Sequence, residues 1–175
     1  MLCEEILKKL EDVKKMGDSL GGVVECKVTG LPIGIGDYLF EGLEGKIAAN
    51  VFAIPAVKGV EFGLGFDFVN YKGSECNDAY IIKNNKIKTK TNNNGGILGG
   101  ISNGMPIIVN VAIKPTPSIA KEQLTLNLKT KKEDKLIIKG RHDPCIAVRA
   151  VPVLEAALSI ALLDLCIDMK GRFLK

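Results

Sequence analysis

The segment KGRHDPC, residues 139–145, places an arginine, a histidine and an aspartate side by side before a proline. Arg141 carries a fixed positive charge suited to a carboxylate or a phosphate, and Asp143 could accept a proton or orient a partner. His142 is the only histidine in the chain. A simpler interpretation is a local Arg–Asp pair that stabilises a turn before Pro144. Residue types alone leave both interpretations open.

A second segment, KPTPS at 114–118, follows a predicted strand. Pro115 and Pro117 fix the backbone and remove two donors, which displays Lys114, Thr116 and Ser118 on a stiff loop. A cation and two hydroxyls suit a phosphate. The alternative is a rigid strand exit with solvated side chains.

The segment TNNNGGILGGISNG, residues 91–104, is rich in glycine and asparagine. Exposed N–H groups of such a loop can bind an anion, but a tight structural turn is the commoner use of these residues. No GK[ST] follows and the GxGxxG spacing is not met, so neither nucleotide-binding loop is predicted.

Composition limits the class of protein. The chain has 175 residues, 46% hydrophobic and 5% aromatic, which predicts one globular unit over 1–175. Its net charge of +4 comes mostly from lysines interleaved with acids, so nucleic-acid binding is not indicated. The five cysteines are odd in number and widely spaced, which favours free thiols in a reducing, cytoplasmic setting. Because the chain has one histidine, no Cys/His zinc site is predicted.

Hydrophobic periodicity predicts which elements position these segments. Residues 3–16 have helical spacing before Gly17, and 41–54 form a second helix that Pro55 ends. Strands are predicted at 23–32, 57–63 and 105–115, and a loose hairpin or mobile loop at 70–94. LTLNLKT predicts a half-buried strand that turns through KKED to pair with KLIIKG.

A final apolar helix, 152–169, has Pro152 in its first turn. It contains Glu155, Asp164 and Asp168, which favours a buried helix over a membrane span. The predicted class is therefore α+β with mostly antiparallel strands.

Taken together, these segments resemble chorismate synthase. The motifs that carry the resemblance, in that family's order, are GDSLGGVVEC, GLPIGIGD, IPAVKGVEFGLGF, GSECND, TNNNGGILGGISNGMPI, KPTPSI and KGRHDPCIAVRAVPVLEA. The resemblance runs from Gly17 to nearly the end of the chain. It implies antiparallel sheet packed on a helical layer, about half of the family fold.

The family eliminates phosphate and a ring hydrogen from 5-enolpyruvylshikimate 3-phosphate to give chorismate, and it needs reduced FMN. By resemblance Asp143 would take part in proton transfer near the flavin N5, and Arg141 would contact both flavin and substrate. The other implied FMN contacts are Pro55, Ala56, Gly99, Lys114, Pro115, Thr116, Pro117 and Ser118. The resemblance also implies a link to NADP and a homotetramer, and no metal.

The resemblance further implies that the chain corresponds to a C-terminal half. The family chain is about twice as long, and its first half carries a Ser-His motif, a second catalytic histidine and an arginine-rich segment. A substrate with two carboxylates and a phosphate calls for several arginines, and this chain has three. We therefore expect the chain alone to be inactive, or to be a non-catalytic flavin-binding half or remnant that needs a separate N-terminal half.

Two departures from the family pattern stand out. Asn94 occupies a position where the family commonly has Ala, which could alter backbone packing near the flavin. Cys76 replaces a frequent histidine in GSECND.

Overall fold

A computed structural model describes residues 2–173, with side chains described for 4–169. The central sheet has three antiparallel strands in the order β1 (Gly22–Val28), β7 (Ile107–Ile113), β2 (Val57–Phe62). Strand β7 lies in the middle because Ile107, Val109, Val111 and Ile113 alternate with less buried residues and turn one face to the core. The predicted α+β class with antiparallel pairing is confirmed.

Two helices cover that face of the sheet. Helix α2 (Leu43–Phe52) buries Leu43, Ile47 and Val51, which lie four residues apart on one side. Helix α4 (Ala147–Phe173) packs against α2 and β1. Its buried side chains are Ala147, Leu154, Leu158, Ala161, Leu162 and Leu165. The core is therefore a layer of Leu, Ile and Val between one sheet face and two helices.

Helix α1 (Leu2–Lys15) begins the described chain, and Gly17 ends it with a positive φ of 69° and a hydrogen bond to the Lys14 carbonyl. The predicted helix at this position is confirmed. Ile6 and Leu10 of α1 face an open apolar cavity of about 490 Å³, whose other wall is formed by β1 and the start of α4.

The remaining elements are short. Between β2 and β7 the chain forms α3 (Gly73–Cys76), the hairpin of β3 (Tyr80–Lys83) with β4 (Lys86–Thr89), and the hairpin of β5 (Ile97–Leu98) with β6 (Ile101–Ser102). Two 3₁₀ turns lie at Leu39–Glu41 and Gly65–Asn70. After β7, strands β8 (Gln123–Asn127) and β9 (Lys132–Leu136) form a third hairpin.

The structure corrects the predicted course of this third hairpin. Its turn lies at 128–131 rather than at KKED, because the Asn127 side chain accepts the N–H groups of Lys129 and Thr130 and Lys131 adopts a left-handed φ of 54°. The half-buried strand prediction is also wrong: Leu124 and Leu126 are exposed, since no other described element covers them.

The structure also corrects the end positions of two helices. Helix α4 begins at Ala147, so Pro152 lies in its second turn rather than its first, and its lost N–H leaves the Val148 carbonyl without its usual helical donor. Helix α2 ends at Phe52, before Pro55. The part of α4 at Ala147–Met169, with a mean hydropathy of 2.0, is long and apolar enough to cross a membrane. Length and composition alone do not separate such a helix from a core helix, and one side of α4 is packed in the core.

Candidate functional site

The KPTPS loop leaves the end of the central strand and is anchored there by the backbone. The N–H of Lys114 donates to the carbonyl of Ala56 at 2.9 Å, which joins this loop to the residues just before β2. Ala56 adopts a left-handed φ of 73°, a conformation that side-chain-bearing residues rarely take. The structure therefore brings Pro55 and Ala56 together with the start of KPTPS.

The segment after α1 holds the middle of the same loop. The Ser19 hydroxyl donates to the carbonyl of Thr116 at 2.6 Å, and Asp18 pairs with Lys121 at 2.7 Å. Leu20 donates its N–H to the Pro144 carbonyl at 2.7 Å. The GDSLGG segment is thus the bridge between KPTPS and the RHDPC turn.

His142 forms a side-chain link between these two segments. Its Nε2 lies 2.9 Å from the Ile138 carbonyl, and its Nδ1 lies 3.3 Å from the Ser118 hydroxyl. A carbonyl oxygen can only accept a hydrogen bond, so Nε2 carries the hydrogen. In the neutral ring Nδ1 is then an acceptor, and Ser118 donates to it.

The two charged residues Arg141 and Asp143 of the RHDPC turn do not pair with each other, although they are close in sequence. Asp143 accepts a hydrogen bond from Arg149 of α4, with Nη1 to Oδ2 at 2.6 Å. Arg141, only two residues from Asp143, is exposed and has no ion-pair partner among the described side chains. The local Arg141–Asp143 pair considered from the sequence is therefore wrong, and the guanidinium of Arg141 is available to an anion.

The donors gathered here fit a phosphate-bearing cofactor. The Thr116 hydroxyl is buried and has no hydrogen-bond partner among the described residues, although buried hydroxyls are normally satisfied. Lys114 is exposed, and neither it nor Arg141 is neutralised by a described carboxylate. Lys114 lies two residues from this hydroxyl in KPTPS, and Arg141 precedes His142, which contacts Ser118 of the same loop. The joined segments therefore carry two uncompensated cations and an unused hydroxyl, which are groups suited to an anion. Among the described residues no group of His, Cys, Asp and Glu is placed to hold a metal ion.

Comparisons with known proteins agree with this geometry. The family model described as chorismate synthase matches residues 2–167. The chain belongs to the chorismate synthase family. A chorismate synthase from Dehalococcoides mccartyi is 51% identical over 164 residues, which are 94% of this chain and 45% of that protein. One from Thermococcus gammatolerans is 47% identical over 161 residues, 92% of this chain and 45% of that protein.

The fold comparison gives the same family. A crystal structure of chorismate synthase is 34% identical, with a TM-score of 0.77 over 95% of this chain and 43% of that chain. The chain therefore spans about 45% of the length of the curated relatives it matches. The resemblance inferred from the motifs is confirmed, together with the family fold.

Gly99 lies apart from the other residues that the family resemblance marks. Its neighbour Gly100 accepts the N–H of Leu43 at the beginning of α2, whereas Pro55 and Lys114 lie beyond the end of that helix. A helix of 10 residues is about 15 Å long, so Gly99 and KPTPS lie near opposite ends of an element of that length. Gly99 has a positive φ of 60° and open space where a Cβ would lie. Its contact with flavin stays a prediction.

Asp78 organises the asparagine-rich segment, a role that the sequence reading missed. This buried carboxylate accepts hydrogen bonds from the Thr91 hydroxyl at 2.7 Å, from the N–H groups of Asn93 and Asn94 at 2.8 and 2.9 Å, and from the Asn94 amide at 2.8 Å. Burial raises the pKa of Asp78, but these hydrogen bonds together hold it below its ordinary value. Asn94 thus donates twice to this carboxylate, from its N–H and from its side-chain amide.

The structure also shows three positioning residues whose partners could not be known from spacing. Ser19, Arg149 and His142 lie in motifs that carry the family resemblance. Their partners lie at sequence separations of 97, 6 and 24 residues. The family resemblance assigned KPTPS and Arg141 to the same cofactor, but it gave GDSLGG no role at that site.

Proposed function

We propose that this chain is the C-terminal half of a chorismate synthase and supplies one side of its active site. The full site would eliminate phosphate from 5-enolpyruvylshikimate 3-phosphate to give chorismate, with reduced FMN. The observation that carries the proposal is the joining of KPTPS to RHDPC, directly by His142 and through the neighbouring residues Ser19 and Leu20, with the cations of Lys114 and Arg141 left uncompensated.

The residues present suit distinct tasks in that reaction. Lys114, Thr116 and Ser118 would hold the FMN phosphate, with Pro115 and Pro117 keeping the loop stiff. Pro55, Ala56 and Gly99 would contact the cofactor through backbone. Reduced FMN, when bound, supplies electron density that assists loss of the phosphate leaving group.

Arg141 and Asp143 would act closest to the reacting atoms. Arg141 would bind both flavin and the anionic substrate through its unpaired guanidinium. Asp143 offers Oδ1 as the atom at which a proton is held or passed, because Arg149 occupies Oδ2. By attracting the carboxylate through Oδ2, Arg149 fixes where Oδ1 points.

The rest of the site would come from the part of the family length that this chain does not span. Several arginines are needed to compensate the desolvation of the substrate's carboxylates and phosphate, and of Arg141 and Arg149 only Arg141 is left without a described acidic partner. We propose a cytoplasmic homo-oligomer, tetrameric as the family resemblance implies, with NADP connected to flavin reduction.

Complementation tests the proposed function directly. The chain is assayed with reduced FMN and 5-enolpyruvylshikimate 3-phosphate, first alone and then with an N-terminal half of a chorismate synthase. We expect chorismate only from the mixture. Turnover by the chain alone would contradict the half-site proposal. Inactivity of a mixture in which both halves are folded and associated would favour a non-catalytic flavin-binding module or remnant.

A further inference from the structure

The Ser118 hydroxyl has a single hydrogen, and in this structure that hydrogen is committed to His142. Ser118 Oγ lies 3.3 Å from Nδ1, and Nδ1 is the unprotonated nitrogen because Nε2 donates to the Ile138 carbonyl at 2.9 Å. While His142 is neutral and this bond is kept, Ser118 offers an incoming anion only lone pairs. Donation to a phosphate group then costs Ser118 its hydrogen bond to Nδ1.

Protonation of His142 reverses this arrangement without moving either side chain. A proton from solvent binds Nδ1, which then donates to a lone pair of Ser118 Oγ. The Ser118 hydroxyl is released to rotate and to donate its own hydrogen elsewhere. Nε2 keeps its hydrogen bond to Ile138, so the ring stays in place.

We infer that His142 is a positioning residue that controls whether Ser118 can donate to the phosphate of the bound flavin. This rests on the proposed function, in which KPTPS holds that phosphate. Anion binding and protonation of His142 are then linked, and each favours the other.

The segments around His142 carry other charged groups besides the imidazole. The titratable and charged groups on the segments around the imidazole are Lys139, Arg141 and Asp143 in its own segment, Lys114 and Lys121 after β7, Asp18 after α1, and Arg149 in α4. Asp143 is bound to Arg149 and Asp18 to Lys121, which leaves Lys114, Lys139 and Arg141 as cations without a described acidic partner. A cationic His142 would also attract an anion by charge alone, so the test must separate charge from the hydroxyl.

The single histidine allows a direct spectroscopic test on the 175-residue chain. Protein labelled with ¹⁵N-histidine gives one set of imidazole signals, which report the tautomer. We expect the Nε2–H tautomer in the neutral form, with an Nδ1 signal that changes in Ser118→Ala and is retained in Ser118→Thr. Observation of the Nδ1–H tautomer would overturn the inference.

Binding measurements then test the link itself. FMN affinity is measured by fluorescence at about pH 8 and about pH 6, with riboflavin as the phosphate-free control. We expect wild-type affinity for FMN to rise about tenfold at the lower pH, and riboflavin affinity to stay unchanged. The rise should disappear in Ser118→Ala and in His142→Asn and return in Ser118→Thr. Protonation of the FMN phosphate acts in the opposite direction and remains in His142→Asn, so the difference between proteins isolates the imidazole.

Two results would contradict the inference. A full rise in affinity in Ser118→Ala would mean that the charge of His142 acts without the hydroxyl. Equal FMN affinity at both pH values in wild type and His142→Asn would mean that the two events are not linked. If FMN does not bind at all, the flavin proposal fails, and inorganic phosphate becomes the probe. His142 signals must then respond to phosphate in wild type and not in Ser118→Ala.

Discussion

At the scale of single residues, the site depends on which arginine pairs with Asp143. Arg149, in the first turn of the helix that follows, binds Oδ2 of the carboxylate, and Arg141 is left without an acidic partner. An Arg141 already bound to Asp143 would be a weaker anion ligand, because its charge would be compensated. The pairing therefore separates the two tasks that the RHDPC turn is proposed to perform.

Replacing Arg141 or Lys114, two cations without a described acidic partner, should weaken flavin binding. We expect Arg141→Gln and Lys114→Ala each to lower FMN affinity about tenfold, the effect of losing one charged hydrogen bond. Fluorescence titration of the chain measures the affinity. Lys86→Ala, on the β3–β4 hairpin, removes the same charge away from the site and should leave the affinity unchanged. Unchanged affinity in Lys114→Ala would show that KPTPS does not hold the phosphate.

Asp78 gives a prediction about stability and pH. Asp78→Asn replaces one acceptor oxygen with a donor facing donors, and we expect the free energy of unfolding to fall by about 1–3 kcal/mol. The pKa of Asp78 is depressed in the folded chain, so its contribution is complete above its unfolded pKa of about 3.9 and is lost as pH falls through the folded value. Urea denaturation should show a constant gap between wild type and Asp78→Asn above about pH 5 and a shrinking gap below about pH 4.

A matched exposed carboxylate controls for charge in this experiment. Asp67→Asn lies in the 3₁₀ turn at Gly65–Asn70 and should change stability little at any pH. A stability gap for Asp78→Asn that persisted unchanged at low pH would show that the carboxylate is not the ionised acceptor that the geometry requires.

At the scale of elements, the site depends on the close approach of the GDSLGG segment, which leads into β1, to the end of β7. A Cβ added to Gly21 would lie 2.5 Å from the Ile113 carbonyl and 3.1 Å from Pro115 Cδ, so GDSLGG can reach KPTPS only with glycine at this position. We expect Gly21→Ala to lower the free energy of unfolding by about 1–3 kcal/mol and to weaken FMN binding. Thermal unfolding and FMN titration measure the two effects.

Gly45→Ala is the matched control, in helix α2. A Cβ there meets nothing closer than 3.9 Å, and alanine suits a helix interior better than glycine does. This variant should gain about 0.5–1 kcal/mol and bind FMN as wild type does. Equal stability of Gly21→Ala and wild type would mean that the loop has room to move away from KPTPS.

The core helices and strands could be predicted from the sequence, whereas one turn and the contacts between segments could not. Alternation in IIVNVAI and the four-residue spacing of Leu43, Ile47 and Val51 predicted the core elements, because each pattern follows directly from the geometry of strand and helix. The β8–β9 turn was misplaced because its left-handed residue is Lys131 rather than a glycine or an asparagine. The contacts of Ser19, His142 and Arg149 depend on tertiary structure, so only the family resemblance marked their segments in advance.

At the scale of the whole molecule, large apolar side chains remain uncovered in several places, among them the β8–β9 hairpin and the outer side of α4. On the β8–β9 hairpin Leu124 is 82% exposed, and on the outer side of α4 Ile160 and Leu163 are 62% and 61% exposed. Large exposed apolar patches are uncommon on monomeric proteins. Under the half-site proposal, the part of the family length that this chain does not span would cover these side chains.

We therefore expect the isolated chain to self-associate, and each apolar surface to contribute. Light scattering after size-exclusion chromatography should show species larger than the 18.8 kDa monomer. Leu163→Lys and Leu124→Lys should each shift the distribution toward monomer, since burying a lysine at an interface is costly. Thr125→Lys, on the opposite face of β8 from Leu124, should not. Addition of an N-terminal half should reduce self-association if it covers the same surfaces. A wild-type chain that is monomeric and unfolds cooperatively would show that these surfaces need no partner.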